Sequence, residues 1–293
     1  MIGPILLASS NALEHVAPHT LFRVGSLTIN NHLFMAGVAS VLMLAVFLVV
    51  FRSPQIVPSG VQNFFEAICV YFRDEVARPV LHEHTDRFMP FIWTMFFFIL
   101  FSNLLGMIPL GSLLYLTIGL PLGLAGLKEF YGTPTANIYV TGALAAFTFV
   151  MIHVSGILNN IAHRRAAGSP LLSAAIVGFF LYWYKMVPHI GGVLGVVLFV
   201  PLFFLEFFGL FVKSVALAIR LFANMVAGHI VLAMLLLFVT MVSSMLGRVL
   251  VGSVSAVGAV AISCLELFVA FLQAYIFTFL ATLFIGMAVH QEH

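Results

Sequence analysis

Apolar residues run through this chain in blocks too long to be one buried face of a soluble helix, and the charges collect between the blocks. The first block, 33–51, holds nineteen residues without a charge and is closed by Arg52. At about 1.5 Å per residue that length just crosses a bilayer core of about 30 Å, so a membrane span is expected there. The next segment, 53–89, carries Arg73, Asp74, Glu75, Arg78, Glu83, Asp86 and Arg87, with Phe64, Phe65, Ile68, Phe72 and Val76 at helical spacing. This pattern predicts an amphipathic helix lying on the membrane surface. A phenylalanine-rich block follows from Pro90 to about residue 118, and Pro121, Lys128, Glu129, Gly132 and Pro134 mark a loop. Another span is predicted over 137–161, ending in His163, Arg164 and Arg165, and a shorter apolar stretch follows to Tyr184.

The last hundred residues break the rule of one block per crossing. Block 190–246 is interrupted only by Glu206, Lys213, Arg220, Asn224, His229 and a few hydroxyls, and 251–289 holds Glu266 and Gln273. Each is far longer than a perpendicular crossing needs, so each must tilt strongly or double back. The expected fold is therefore an all-α polytopic membrane protein with five to six membrane helices, the last two unusually long, and one amphipathic surface helix. It reads as a single membrane domain: 1–31 an outward-facing N-terminal segment, 32–52 the first span, 53–89 the amphipathic cytoplasmic segment, 90–189 the middle spans, 190–289 the two long helices, and 290–293 a tail.

Composition supports this and narrows function. Of 293 residues 62% are hydrophobic and 8% charged, against about 25% charged in soluble domains. A soluble enzyme, a nucleic-acid binder and a disordered scaffold are excluded. Cys69 and Cys264 stand far apart without metal-site spacing and read as apolar filler. The HxH of His82 and His84 sits among acidic neighbours and reads as solvated. No nucleotide-binding glycine loop or nucleophile constellation is present, and no cofactor is expected. The start of the chain lacks the basic n-region of a cleaved signal peptide. Four basic residues fall within 52–89 and two after residue 161, against one in 121–135. The first two segments are thus expected on the cytoplasmic side, with the N-terminus outside and the C-terminus cytoplasmic.

Intramembrane charges cost about 2.5–3.5 kcal/mol each at a helix centre and ask for a reason. Glu206, Lys213 and Arg220 follow at steps of seven, which places them on one helix face; Asn224 joins them, and His229 falls roughly opposite. Glu206 and Lys213 read as a structural pair near a membrane boundary. Arg220 has no same-helix counter-ion, so its acidic partner must come from Glu266 or from another subunit. Glu266 and Gln273 share a face, with Ser263 one turn earlier. A carboxylate in such a helix suits proton exchange.

The stretch from Lys213 through Arg220-Leu-Phe-Ala-Asn224 to Gly228-His229 resembles the signature of the a subunits of F-type ATP synthases. Further matches are Pro58-Ser-Gly-Val-Gln-Asn-Phe-Phe-Glu66, Pro90-Phe-Ile-Trp-Thr with Ser102-Asn-Leu-Leu-Gly-Met-Ile-Pro109, Pro134-Thr-Ala-Asn137, and Glu266 through Gln273-Ala-Tyr-Ile-Phe277. Ser214 and Ala216 depart from the proline and serine that many relatives carry. The resemblance implies a non-catalytic stator subunit with two half-channels that load and unload carboxylates of a rotating c-ring, coupling proton flow to ATP synthesis. It implies that the two long helices lie tilted against that ring and that Arg220 engages each ring carboxylate. His229 and Glu266 would relay protons, Asn224 and Gln273 would flank the arginine, and Glu206 and Lys213 would match supporting polar positions. The implied partners are the c-ring, a b-subunit peripheral stalk and the lipid bilayer, in a bacterial inner membrane. The competing reading from the residues alone is a proton-coupled secondary transporter, which the absence of an internal repeat disfavours.

Overall fold

The computed structural model describes residues 20–24, 27–53, 57–108, 113, 115–119, 132–187 and 193–290. The segment 1–19 and the loop around Lys128 and Glu129 lie outside the described residues. The described residues are helical apart from loops and a small antiparallel hairpin that the apolar pattern did not reveal. Strands β1 (Thr20–Val24) and β2 (Leu27–Asn30) pair Val24 with Leu27, Arg23 with Thr28, Phe22 with Ile29 and Thr20 with Asn30, with an irregularity between Thr20 and Phe22. In sequence Gly25-Ser26 separates them, the spacing of a two-residue hairpin connection. Strands of four and five residues are too short to leave a strong periodic signal.

The helices follow the apolar blocks. Helix α1 (Asn31–Val50) is the first expected span. Helix α2 (Val61–Tyr71), within the segment expected to be amphipathic, has no buried residue and exposes Phe64. It passes through a π-helical stretch (Phe72–Ala77), a single α turn (Arg78–Leu81) and a 3₁₀ turn (His82–His84) into α3 (Thr85–Met107). The interruption falls at His82, whose φ of 47° no α-helix accommodates. Helices α4 (Ile138–Ala166) and α5 (Leu171–Lys185) correspond to the third span and the short apolar stretch. Block 190–246 does not double back among the described residues: it forms one helix, α6 (Val193–Met241), and the last block forms α7 (Met245–Val289). At 49 and 45 residues these extend about 73 Å and about 67 Å. Among the described residues five helical segments, counting 61–107 as one, are long and apolar enough to cross a membrane, and α5 is a shorter apolar helix.

Contacts divide the chain into two compact units. The first draws on Met1–Ser53, Phe96–Thr141 and Ile219–Tyr275. Met35, Ala39 and Leu105 form one of its apolar clusters, and Ala136, Met225 and Ala270 another, with Met107 and Val226 packed on it. The second unit draws on Pro54–Met95, Gly142–Ala218 and Ile276–His293. There Phe72, Val76, Leu81, Ile92, Ile152 and Tyr182 are buried, and Trp93 donates its indole N–H to the carbonyl of Cys69 at 3.1 Å. A side chain at Gly178 would meet the backbone of Ile161, so this glycine lets α5 fold closely onto α4.

Candidate proton-relay site

The polar residues of the first unit converge instead of scattering. His32 sits in the first turn of α1, just after β2, and only 1% of it is exposed. Its Nδ1–H donates to the carbonyl of Thr133 at 2.9 Å. Thr133, also buried, precedes a 3₁₀ turn at Pro134–Ala136, and its hydroxyl hydrogen-bonds Nε2 of His229 on α6. The other ring nitrogen of His229 lies 3.9 Å from Oε1 of Glu266 on α7. Side-chain exposures of 23% for His229 and 12% for Glu266 set this pair at the edge of the buried polar region.

Glycines make the room. A methyl group at Gly228 would collide with the Glu266 carboxylate, and one at Gly106 would collide with the side chain of Thr133. A neutral imidazole donates from one nitrogen and accepts at the other. His229, flanked by a hydroxyl and a carboxylate, can therefore hand a proton between Thr133 and Glu266 by exchanging tautomers. At 3.9 Å the last gap exceeds direct transfer and closes with about 1 Å of side-chain movement or one bridging water.

A second set of hydrogen bonds fixes the surrounding backbone. Asn103 on α3 is fully buried; its amide donates to the carbonyl of Ala270 at 3.1 Å and its oxygen accepts from the Thr135 hydroxyl at 2.7 Å. Asn224 on α6 donates to Oε1 of the buried Gln273 on α7 at 3.2 Å. These bonds tie α6, α7, α3 and the 132–137 loop together where the histidine and glutamate meet.

Arg220 is disposed differently. It is exposed on α6, and among the described residues it makes no ion pair or hydrogen bond. The sequence left open whether Glu266 neutralises it; Glu266 is instead the neighbour of His229. Around Arg220 the exposed face of α6 carries Ala223, Asn224 and Ala227, small side chains that let another helix approach closely.

The expected structural pair of Glu206 and Lys213 does not form. Seven residues separate them by about 10.5 Å along the helix axis, too far for an ion pair. Glu206 lines a cavity of about 160 Å³ with Tyr182, Lys185 and His290. The ammonium of Lys213 lies 5.5 Å from the Phe284 ring centroid. His82 and His84 pack against His290, with ring centroids 5.3 and 5.7 Å apart.

Of the residues the sequence singles out, the structure brings His229 to Glu266 and Asn224 to Gln273, and leaves Arg220 exposed. The sequence does not single out His32, Thr133 and Gly228. His32 stood in a polar N-terminal run and Thr133 in a loop, and neither position carries a local pattern that announces a partner.

Long apolar helices, an arginine without an ion pair among the described residues and a partly buried histidine–glutamate pair mark a polytopic membrane protein with groups suited to handling protons. Comparison with known sequences narrows this further. The profile described as ATP synthase A chain matches residues 33–286, and the chain belongs to that family. Among curated relatives, ATP synthase subunit a of Chlorobium phaeobacteroides is 34% identical over 96% of this chain and 71% of its own length. That of Anaeromyxobacter sp. strain Fw109-5 is 36% identical over 98% of this chain and 61% of its own length. That of Myxococcus xanthus is 38% identical over 91% and 75% respectively. The chain thus spans between 61% and 75% of the length of these three relatives.

Proposed function

We propose that this chain is the proton-channel stator subunit of an ATP synthase membrane sector, non-catalytic itself, working against a rotating ring of c subunits. The observation that carries the proposal is Arg220, exposed on an apolar helix without an ion pair among the described residues, on the same helix as the histidine of a His–Glu relay.

The chemistry follows from charge and solvation. A guanidinium stays protonated at any relevant pH. Beside it the ionised form of a ring carboxylate is favoured, so each ring site gives up its proton on arrival. Moving on into lipid while charged is costly, so the site must take up a proton first. The Thr133 hydroxyl, His229 and Glu266 supply that proton from one side of the membrane, Glu266 making the final delivery, while His32 holds the Thr133 carbonyl and so keeps that hydroxyl in place. Arg220 repels protons and prevents the entry and exit half-channels from short-circuiting. Asn224 and Gln273, joined by their hydrogen bond, hold α6 and α7 in register beside the arginine. Glu206 and Lys213 support the path on the same long helix. The great length of α6 and α7, strongly tilted, gives the curved flank of a ring more contact than upright helices would.

The named relatives are bacterial proteins, and the reading sets this chain in a bacterial inner membrane with the N-terminus outside and the C-terminus in the cytoplasm, as the loop charges require. A b-subunit stalk completes the stator. The test is to extract the tagged chain in mild detergent and identify what accompanies it. Recovery of a small, very apolar subunit in many copies with soluble ATPase subunits is expected. Recovery of the chain alone, under conditions that keep other membrane complexes intact, would overturn the proposal.

A further inference from the structure

The second unit holds a cavity of about 330 Å³ with no part in the relay, lined by residues of α4, α5, the turn between them and the end of α7. We propose that it binds the phosphate headgroup of an anionic phospholipid. This inference does not rest on the proton-channel reading.

The lining is cationic. Arg164 and His163 come from the last turn of α4 and Lys185 from the last turn of α5, with Asn160 and Ser169 as further polar groups. Among the described residues no carboxylate lines the cavity. Arg164 and Lys185 are partly buried, and neither side chain has an ion pair or hydrogen bond among the described residues. Lys185 also borders the smaller cavity that holds Glu206, but the two make no ion pair. Two half-buried cations facing one space, without a counter-charge among the described residues, form a receptor for an anion. A planar guanidinium with five N–H donors matches the oxygens of a phosphate, and the volume lies in the range of small-molecule sites.

The surroundings identify the carrier of that phosphate. Leu171, Leu172, Ile176 and Phe180 on α5 are all more than half exposed and offer an apolar flank for acyl chains beside the cavity. Trp183 and Tyr184 immediately precede Lys185, the aromatic and basic grouping that collects at head-group level. Basic pockets between membrane helices on the cytoplasmic side characteristically take anionic head groups, and Arg164 and Arg165 belong to that side by charge bias.

The test uses the purified protein, with its co-purifying subunits, in detergent. Native mass spectrometry would count bound phosphatidylglycerol and phosphatidylcholine over a titration of each. One phosphatidylglycerol is expected to bind in preference to phosphatidylcholine. Arg164→Gln and Lys185→Gln should each weaken it about fivefold and the double variant about 25-fold, as loss of one cation near a membrane surface dictates. Arg164→Lys, which keeps the charge, should retain most of the binding and guards against loss of fold as the cause. Equal binding of the two lipids, or wild-type phosphatidylglycerol affinity in the double variant, would overturn the proposal. Binding of inorganic phosphate at Arg164 without selectivity for phosphatidylglycerol would overturn the lipid assignment.

Discussion

Gly228→Ala tests the relay by the smallest possible intrusion. A methyl carbon at that position would stand 2.8 Å from Cδ and 3.0 Å from Cγ of Glu266. Carbon atoms rest at about 3.5–4.0 Å, so the carboxyl group must retreat by at least about 0.7 Å. It already lies 3.9 Å from Nδ1 of His229, and proton transfer tolerates only hydrogen-bond distances or one bridging water. A displacement near 1 Å costs up to about 100-fold in a positioned reaction; passive proton flux through the membrane sector should therefore fall between about 10- and 100-fold. The fold should not suffer, because alanine is preferred to glycine in a helix interior by about 1 kcal/mol and the group displaced is the end of a flexible side chain. The assay is passive proton flux in vesicles stripped of soluble ATPase subunits, with chain abundance measured in parallel. Adding Glu266→Asp, one methylene shorter, should relieve the overlap and recover part of the flux. A Gly228→Ala flux within twofold of wild type, at equal abundance, would refute the reasoning.

Thr133→Val keeps the shape but removes the hydroxyl that meets His229; passive proton flux should drop at least about tenfold, while Thr133→Ser stays near wild type. Glu266→Leu should slow proton entry as strongly, and unchanged flux would remove Glu266 from the path. Gln273→Leu deprives Asn224 of its acceptor; ATP-driven pumping should decline while stability shifts by less than about 1 kcal/mol, the usual worth of one interhelical hydrogen bond in a membrane. Asn103→Leu strands both the Thr135 hydroxyl and the Ala270 carbonyl, and thermal unfolding in detergent should report a loss of about 1–2 kcal/mol.

Long-range order along the chain was legible where one physical constraint dominates. A hydrocarbon bilayer demands long apolar helices, and α1, α4, α6 and α7 lie where the apolar blocks do. The cost of burying charge likewise singled out Arg220 and Glu266 before any contact was known. What stayed hidden depends on tertiary meeting. The steps between Arg220, Asn224 and His229 fix angles around α6 but not which of them faces α7, so the partner of Glu266 was undetermined until His229 was found beside it. Thr133 meets His229, and His32 holds the Thr133 carbonyl, only because the start of α1 and the 132–137 loop bring distant segments together. Gly228 gave no sign because its role is the space it leaves for another residue's carboxylate. The pairing once expected for Glu206 and Lys213 failed on simple geometry, since a shared helix face at a seven-residue step does not mean contact.

The most direct test of the account is ATP-driven proton pumping in inverted membrane vesicles carrying Arg220→Ala in the assembled complex. An exposed guanidinium without an ion pair among the described residues has no structural duty to this fold, so the complex should assemble in normal amounts and pump no protons. Pumping at the wild-type rate in that variant would contradict the central claim that Arg220 is the charge against which the ring carboxylates turn.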